Sequence, residues 1–302
     1  MKFSDSSDLH IILLFIDGVG IGENNKAFNP LTFSRTGIFS QNTHAALPFG
    51  GKRYGLDATL GINGLPQSAS GQTTIYTGEN ASKILGHHLF GFPNRKLRDL
   101  LHHKSLFIRL KAAGKDCRFL NGFRPVFFTT PELFSNIRMS ATTEMNRAAG
   151  LPFTTLDDIR NKSGLYHEYS NQFLRTLGFS MPIFSAEEAA EIILNESKKY
   201  HLLLYEYFMT DNAGHSCNMD FAIREVQKIE QLIYHIAAGI QAGDTILMVI
   251  SDHGNLEDMR TKSHTLNRSF FGVWGKRIEN EQMRNLTDVT PLILKTLSVP
   301  SG

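Results

Sequence analysis

Four apolar runs stand out along the chain: HIILLFI (10–16), HLLLYEYF (201–208), DTILMVI (244–250) and SFFGVW (269–274). None alternates apolar with polar residues as a half-exposed strand would, so all four read as buried strands of a parallel sheet covered on both faces. Between two of them the apolar positions Phe221, Val226, Ile229, Ile233 and Ile236 recur at helical spacing, predicting a helix over 218–241. KLRDLLHHKSLFIRLKAAG (96–114) reads as one helix ending at a glycine, followed by a strand at CRFLNGF. Ser185 and Glu188 form a capping-box pair that should open a helix over 186–199. Strands alternating with helices define an α/β fold with a mainly parallel sheet flanked by helices.

Residues 124–184 break this rhythm. The segment is aromatic, interrupted by Pro125, Pro131, Pro152 and Pro182, and holds no long apolar strand. It is expected to be a small cap or elaboration over one end of the sheet, with 1–123 and 185–302 forming the core. The whole-chain totals narrow the setting. A chain of 302 residues, 41% hydrophobic and 20% charged, is of ordinary globular composition. The net charge of +2 gives no electrostatic case for nucleic acid. Cys117 and Cys217 are the only cysteines and lack paired spacing, which argues against a disulfide framework or a cysteine zinc site. No apolar segment reaches membrane-spanning length, and MKFSDSSDLHIILLFIDG lacks the order of a signal peptide. A cytoplasmic protein with no membrane partner is expected.

Candidate chemistry gathers where the strands end, as expected of open parallel sheets. HIILLFI runs into Asp17-Gly18; HLLLYEYFMT into Asp211, Gly214 and His215; DTILMVIS into Asp252-His253-Gly254-Asn255, with His264 further on. An aspartate after a strand also serves as a turn or helix cap, and Asp211 with His215 also suits a local contact on its own. Metal-ligand residues closing three strands of one sheet favour a metal site over three separate caps. DGVGIG (17–22) competes as a dinucleotide fingerprint, but Glu23 stands where its third glycine belongs, and Asp17 would repel pyrophosphate. GLPQSASGQTT (64–74) carries four hydroxyls and no charge. A serine there needs an activating group to be a nucleophile.

Together Asp17-Gly18, LPQSASGQTTIYTG, TDNAGHS, SDHGN and the SHT at 263–265 resemble the alkaline phosphatase superfamily. They stand in the order found in its branch of cofactor-independent phosphoglycerate mutase and phosphopentomutase. The middle of the chain is more similar to small bacterial metalloenzymes of that branch. The resemblance implies an alkaline phosphatase-like fold and two divalent metal ions, Mn or Zn. It assigns Asp211, His215 and His264 to one ion, and Asp17, Asp252, His253 and the Ser68 oxygen to the other. Ser68 matches the nucleophile, since it follows Pro66-Gln67 where the mutases have Pro-Asn-Ser, with Ser70 as the fallback. A divalent ion lowers the pKa of a bound hydroxyl, which is the activation Ser68 needs. A helix beginning near Gly71 would place its positive end beside the phosphorylated serine.

The implied activity is hydrolysis of a small phosphomonoester through a phosphoserine. Mutases of this branch carry a larger inserted domain, so a phosphomutase is the second reading, with phosphodiesterase or sulfatase behind it. A binding protein that keeps metals without chemistry is the reading from another class, and it has no need of Ser68. Arg95, Arg124, Arg138 and Arg147 are candidate grips for the substrate anion, as is one of His87 and His88. The pair His102-His103 is expected on a helix surface.

Overall fold

The computed structural model describes residues 9–41, 46–129, 139–240, 243–275 and 282–300. Nine strands are present among these residues: β1 (His10–Ile16), β2 (Gly20–Ile21), β3 (Lys52–Leu56), β4 (Cys117–Phe119), β5 (Gly122–Phe123), β6 (Thr154–Thr155), β7 (Leu202–Tyr207), β8 (Thr245–Ile250) and β9 (Arg268–Trp274). The heart of the fold is a parallel group in the order β4, β7, β1, β8. β9 closes the sheet beside β8 but runs antiparallel to it, and β2 and β3 pair antiparallel with β9. The mixed α/β architecture is as the apolar runs predict, except that SFFGVW is antiparallel. Burial on both faces hides strand direction from hydropathy, because β9 is as buried as its parallel neighbours.

Alternation along each central strand divides the core in two. Ile12, Leu14, Ile16, Leu203, Tyr205, Leu247 and Val249 pack on one face with the helices Ala186–Ser197 and Met219–Gly239. Ile11, Leu13, Phe15, Leu204, Met248 and Ile250 pack on the other with Ser68–Thr77, Leu106–Ala112, Ala141–Ala148 and Val289–Thr296. Ser185 and Glu188 do form a reciprocal capping box, as predicted. The single helix expected over 96–114 is two, Arg95–Lys104 and Leu106–Ala112. Ser105 between them is extended, at φ −67° and ψ 155°, so it ends one helix and caps the start of the next.

Residues 139–184 are built into the main body. Leu156, Ile159, Leu165 and Leu174 belong to the first core, and Ala141 and Met145 to the second. β6 pairs with β5 in a separate two-stranded sheet, and the Tyr205 hydroxyl bonds the Tyr166 carbonyl at 2.7 Å. Among the described residues, no helix is long and apolar enough to cross a membrane.

Strand register determines what meets at the carboxyl edge. β1 and β8 pair Phe15 with Ile250, so two residues further on Asp17 and Asp252 leave the sheet side by side. β1 and β7 pair Ile16 with Tyr207, which brings the start of the next helix, Met209–Ser216, against Asp17.

Candidate metal centre

Side chains two apart on a strand share a face. Asp17 therefore continues the face of Phe15, and Asp252 that of Ile250, toward the helix Ser68–Thr77. Gly71 of that helix lies so close that an added Cβ would sit 3.1 Å from the Asp252 Cβ. The helix begins at Ser68 itself, after Gln67, rather than near Gly71. Asp211 and His215 sit on the helix after β7, four residues apart and so on one face. Their spacing is that of a helical pair, where the sequence had suggested a strand running straight into Asp211. His264 arrives on the loop that precedes β9.

These residues form one cluster. The His215 Nε2 lies 3.1 Å from Asp211 Oδ2 and 3.3 Å from His264 Nε2, which is 3.8 Å from Asp211 Oδ1. The His253 Nε2 lies 3.5 Å from both Asp17 Oδ1 and Asp252 Oδ2, and 3.0 Å from the Ser68 Oγ. Donors at the corners of a tetrahedron with bonds of about 2.0–2.1 Å stand about 3.4 Å apart, close to these separations. His253 and His264 stack with ring centroids 3.7 Å apart and join the two groups. Asp211, His253 and His264 also fall within one ligand-sized sphere, as do Asp17, Asp252 and His253.

The surroundings orient these ligands. The second ring nitrogens of His215 and His264 bond the carbonyls of Lys262 and Pro66, at 2.6 and 2.7 Å. That turns each Nε2 inward, where a cation would replace the present contacts of His215 with Asp211 and His264. Asn255 donates to Asp211 Oδ1 at 2.6 Å, and Gln72 to Asp252 Oδ2 at 3.4 Å. Asp17 Oδ1 is buried and accepts no hydrogen bond from the described residues. Burial, together with the charges of Asp252 and Asp211, raises the Asp17 carboxyl well above its usual range. Burial, then Asp211, pushes Asp252 up to about 8. Burial and the neighbouring His264 push His253 down to about 3, leaving it neutral. Crowded buried carboxylates, neutral imidazoles and an unpaired inward oxygen are what a divalent cation satisfies.

Two features that sequence reasoning passed over hold the cluster in place. Glu257 is fully buried and accepts from the Gly20 and Asn255 amides, both at 2.9 Å, and from the Thr265 hydroxyl. It ties β2, the SDHGN turn and the His264 loop together. Gly20 and Gly254 are glycine because a Cβ on either would strike Glu257, which is the signal that could have exposed it. Gly18 has φ +66°, and a Cβ there would lie 2.5 Å from Asp211 Oδ1. Gly18→Ala is expected to destabilise by about 1–3 kcal/mol from the left-handed backbone alone. It should also weaken metal binding through Asp211. Chemical denaturation and a metal titration of the same variant check both effects.

The structure brings Asp17, Ser68, Asp211, His215, Asp252, His253 and His264 together. Among the hydroxyls of residues 64–74, only Ser68 reaches them. Ser70 is buried and bonded to the Gln67 carbonyl and Leu89 amide, while Thr73 and Thr74 bond carbonyls one helical turn back. The remaining candidates lie apart. His87 and Arg95 are exposed, and His88 is pinned between Ser82 and the Ile62 carbonyl. Arg147 is engaged with Glu144 at 2.7 Å and with His102 at 3.1 Å, which turns it to a helix–helix contact instead of the cluster. His103 lies on the exposed face of its helix. Arg124 sits beside Tyr166 and His167, and Arg138 lies outside the described residues.

A mainly parallel α/β sheet thus carries a carboxylate–histidine cluster at its carboxyl edge, with two groups of side chains that could each hold a metal ion. Residues 177–301 match the Metalloenzyme superfamily. The 2,3-bisphosphoglycerate-independent phosphoglycerate mutase of Ehrlichia canis (strain Jake) is 33% identical over 129 residues, 39% of this chain and 26% of that protein. The enzyme of the same name from Desulforudis audaxviator (strain MP104C) is 28% identical over 127 residues, 39% of this chain and 25% of that protein. The matches thus span about a quarter of these relatives' lengths. In fold the chain is similar to the alkaline phosphatase of the Antarctic bacterium TAB5, with a TM-score of 0.56 and 14% identity over 97% of this chain and 99% of that one. The PH0037 protein of Pyrococcus horikoshii also has a TM-score of 0.56, at 10% identity over 97% of this chain and 98% of that one. The C-terminal part of the chain is thus similar to the Metalloenzyme superfamily, and its fold is similar to that of alkaline phosphatase.

Proposed function

We propose that this chain is a metal-dependent phosphomonoester hydrolase that works through a phosphoserine on Ser68. The observation that carries the reading is the position of that hydroxyl. It lies in the first turn of its helix, half-buried, 3.0 Å from the His253 Nε2 shared by both ligand groups. Asp211, His215 and His264 would hold one divalent ion, Zn or Mn, and Asp17, Asp252, His253 and Ser68 the other. When bound, such ions neutralise phosphate charge and lower the pKa of a serine hydroxyl.

The chain's own residues account for the remaining steps. The Ser68 Oγ attacks phosphorus as the ester bond to the alcohol breaks. The serine's proton is given up to solvent, and the departing alcohol oxygen takes one from it. The amides of the first helical turn would favour the new phosphate's charge. A second attack, by water, breaks the serine–phosphate bond and returns the hydroxyl. Ser68 is open enough for water to reach it, which favours hydrolysis over return of the phosphoryl group to the substrate. The two mutase relatives support phosphoryl return as the second reading, in which the dephosphorylated substrate takes the place of water.

Acid quench of the Mn- or Zn-loaded protein with 32P-labelled phosphomonoester, followed by peptide mapping, tests the covalent step. Label is expected on the peptide holding Ser68 and should chase to inorganic phosphate. Label chasing instead to an isomeric phosphate ester would identify a mutase. Turnover with no trapped label under any quench would remove the phosphoserine.

A further inference from the structure

One strand beyond the metal cluster, a cavity of about 410 Å³ opens at the carboxyl ends of β4 and β7. Its walls are largely apolar, with Phe119, Phe123, Phe127, Tyr166 and Phe208 prominent, and Arg124 also lines it. Phe208 immediately precedes the helix that carries Asp211 and His215. The cavity's volume is in the range that holds a small organic ligand.

Two of the side chains lining this chamber, Glu206 and His167, each carry a buried polar atom with no hydrogen-bond partner among the described residues, Oε2 and Nδ1. Glu206 is fully buried on β7, on the same face as Asp17 and Asp252. Its other oxygen is fixed by the Tyr76 hydroxyl at 3.1 Å and by Thr142, and its backbone is clasped by Asn121. The side chain is thus held from one side with Oε2 left over. Burial raises the Glu206 carboxyl to about 7, so near neutrality it can both accept and donate. Burial lowers His167 to about 4 and keeps it uncharged. A buried carboxyl left without a partner is costly, and structures retain one where a ligand completes it.

We infer that this cavity receives the alcohol portion of the phosphomonoester, and that this portion is a flat, uncharged ring bearing an N–H or O–H donor for Glu206. The inference rests on the phosphatase reading for the phosphate end and names the substrate class at the other end. Aromatic walls stack on a ring face, and the two unpaired atoms read its edge. A three-carbon anion such as phosphoglycerate would leave the aromatic walls uncovered and bring its carboxylate near Glu206, though Arg124 also lines the cavity. Nucleosides and hydroxybenzyl alcohols share the required chemistry.

Binding of the alcohol without phosphate tests the inference separately from catalysis. Adenosine, guanosine and 4-hydroxybenzyl alcohol are titrated into the metal-loaded protein and followed by ligand-observed NMR, with glycerol as the control. At least one ring alcohol is expected to bind, and whether it is a nucleoside or the benzyl alcohol identifies the source. The isosteric Glu206→Gln should weaken that binding at least tenfold. His167→Phe, on a less buried position, should do so independently. In turnover, the kcat/KM ratio of the matching ring phosphate to 4-nitrophenyl phosphate, whose ring has no donor, should fall at least tenfold in Glu206→Gln, chiefly through KM. A merely structural glutamate would lower both substrates together and overturn the assignment. Ring binding that depends on Glu206, in a protein without phosphatase activity, would uphold the cavity and refute the hydrolase. Efficient hydrolysis of glycerol 3-phosphate or 3-phosphoglycerate with no ring binding would do the reverse.

Discussion

Ser68→Ala is expected to lower turnover of an aryl phosphate by roughly 10³-fold or more, since it removes a covalent step rather than one contact. The helix should survive the change. Ser68 is its first residue, Gln67 occupies the cap without a side-chain bond, and the Ser68 hydroxyl bonds the His253 ring rather than the helix backbone. The ligands Asp211, His215 and His264 do not include the serine, so metal content there should stay near wild type. The neighbouring Ser70→Ala makes the contrast. Its hydroxyl bonds the Gln67 carbonyl and the Leu89 amide, so its loss should cost stability of about 1 kcal/mol with little effect on kcat. Steady-state kinetics with metal analysis of both variants separate the cases. A fully active Ser68→Ala would mean that water attacks the ester directly, and the serine would then be a ligand only.

The central strands were legible because a strand buried on both faces must be apolar throughout, and β1, β7 and β8 begin and end within a residue of their apolar runs. The clustered carboxylates and histidines were legible as candidates for a related reason. Asp17 and Asp252 each stand within two residues of such a run, and it was their recurrence at three strand ends, rather than either aspartate alone, that pointed to a shared site. What hydropathy could not carry was strand direction in β9 and the break at Ser105, where a single extended residue separates the helices Arg95–Lys104 and Leu106–Ala112. β3 escaped because KRYGL at the sheet edge is short, polar and only partly buried. Glu206 and Glu257 were invisible for the opposite reason. Each looks like an ordinary acidic residue in sequence, and only the fold reveals that it is wholly buried, one gripping the His264 loop and the other facing a cavity. The same limit applied to the arginines: nothing in the sequence distinguishes Arg147, which Glu144 holds, from Arg124 beside the cavity.

Removing metal should destabilise the protein, and the effect should grow as pH rises. In the metal-free fold, burial and mutual repulsion raise the carboxyls of Asp17 and Asp252 above their values in the unfolded chain, Asp252 to about 8. A raised acid makes the native state bind protons that the unfolded chain has already released. Stability from these two groups is therefore complete below about pH 4, where both states are protonated, and is lost as pH climbs toward the folded values. The metal-loaded fold behaves oppositely, because the cation needs the carboxylates ionised and binds more tightly as protons leave. At a free metal concentration of about 100 times Kd, binding alone adds about 2.7 kcal/mol, or roughly 5 °C or more in Tm for a chain of this size. The gap in Tm between loaded and chelated protein is thus expected to be small near pH 5 and to reach roughly 5 °C or more by pH 8. Thermal melts across that range, with proton release followed during metal titration, measure both sides of the linkage. A gap that stays constant with pH would mean that Asp17 and Asp252 are not the groups the cation neutralises, and the ligand set would have to be redrawn around Asp211, His215 and His264.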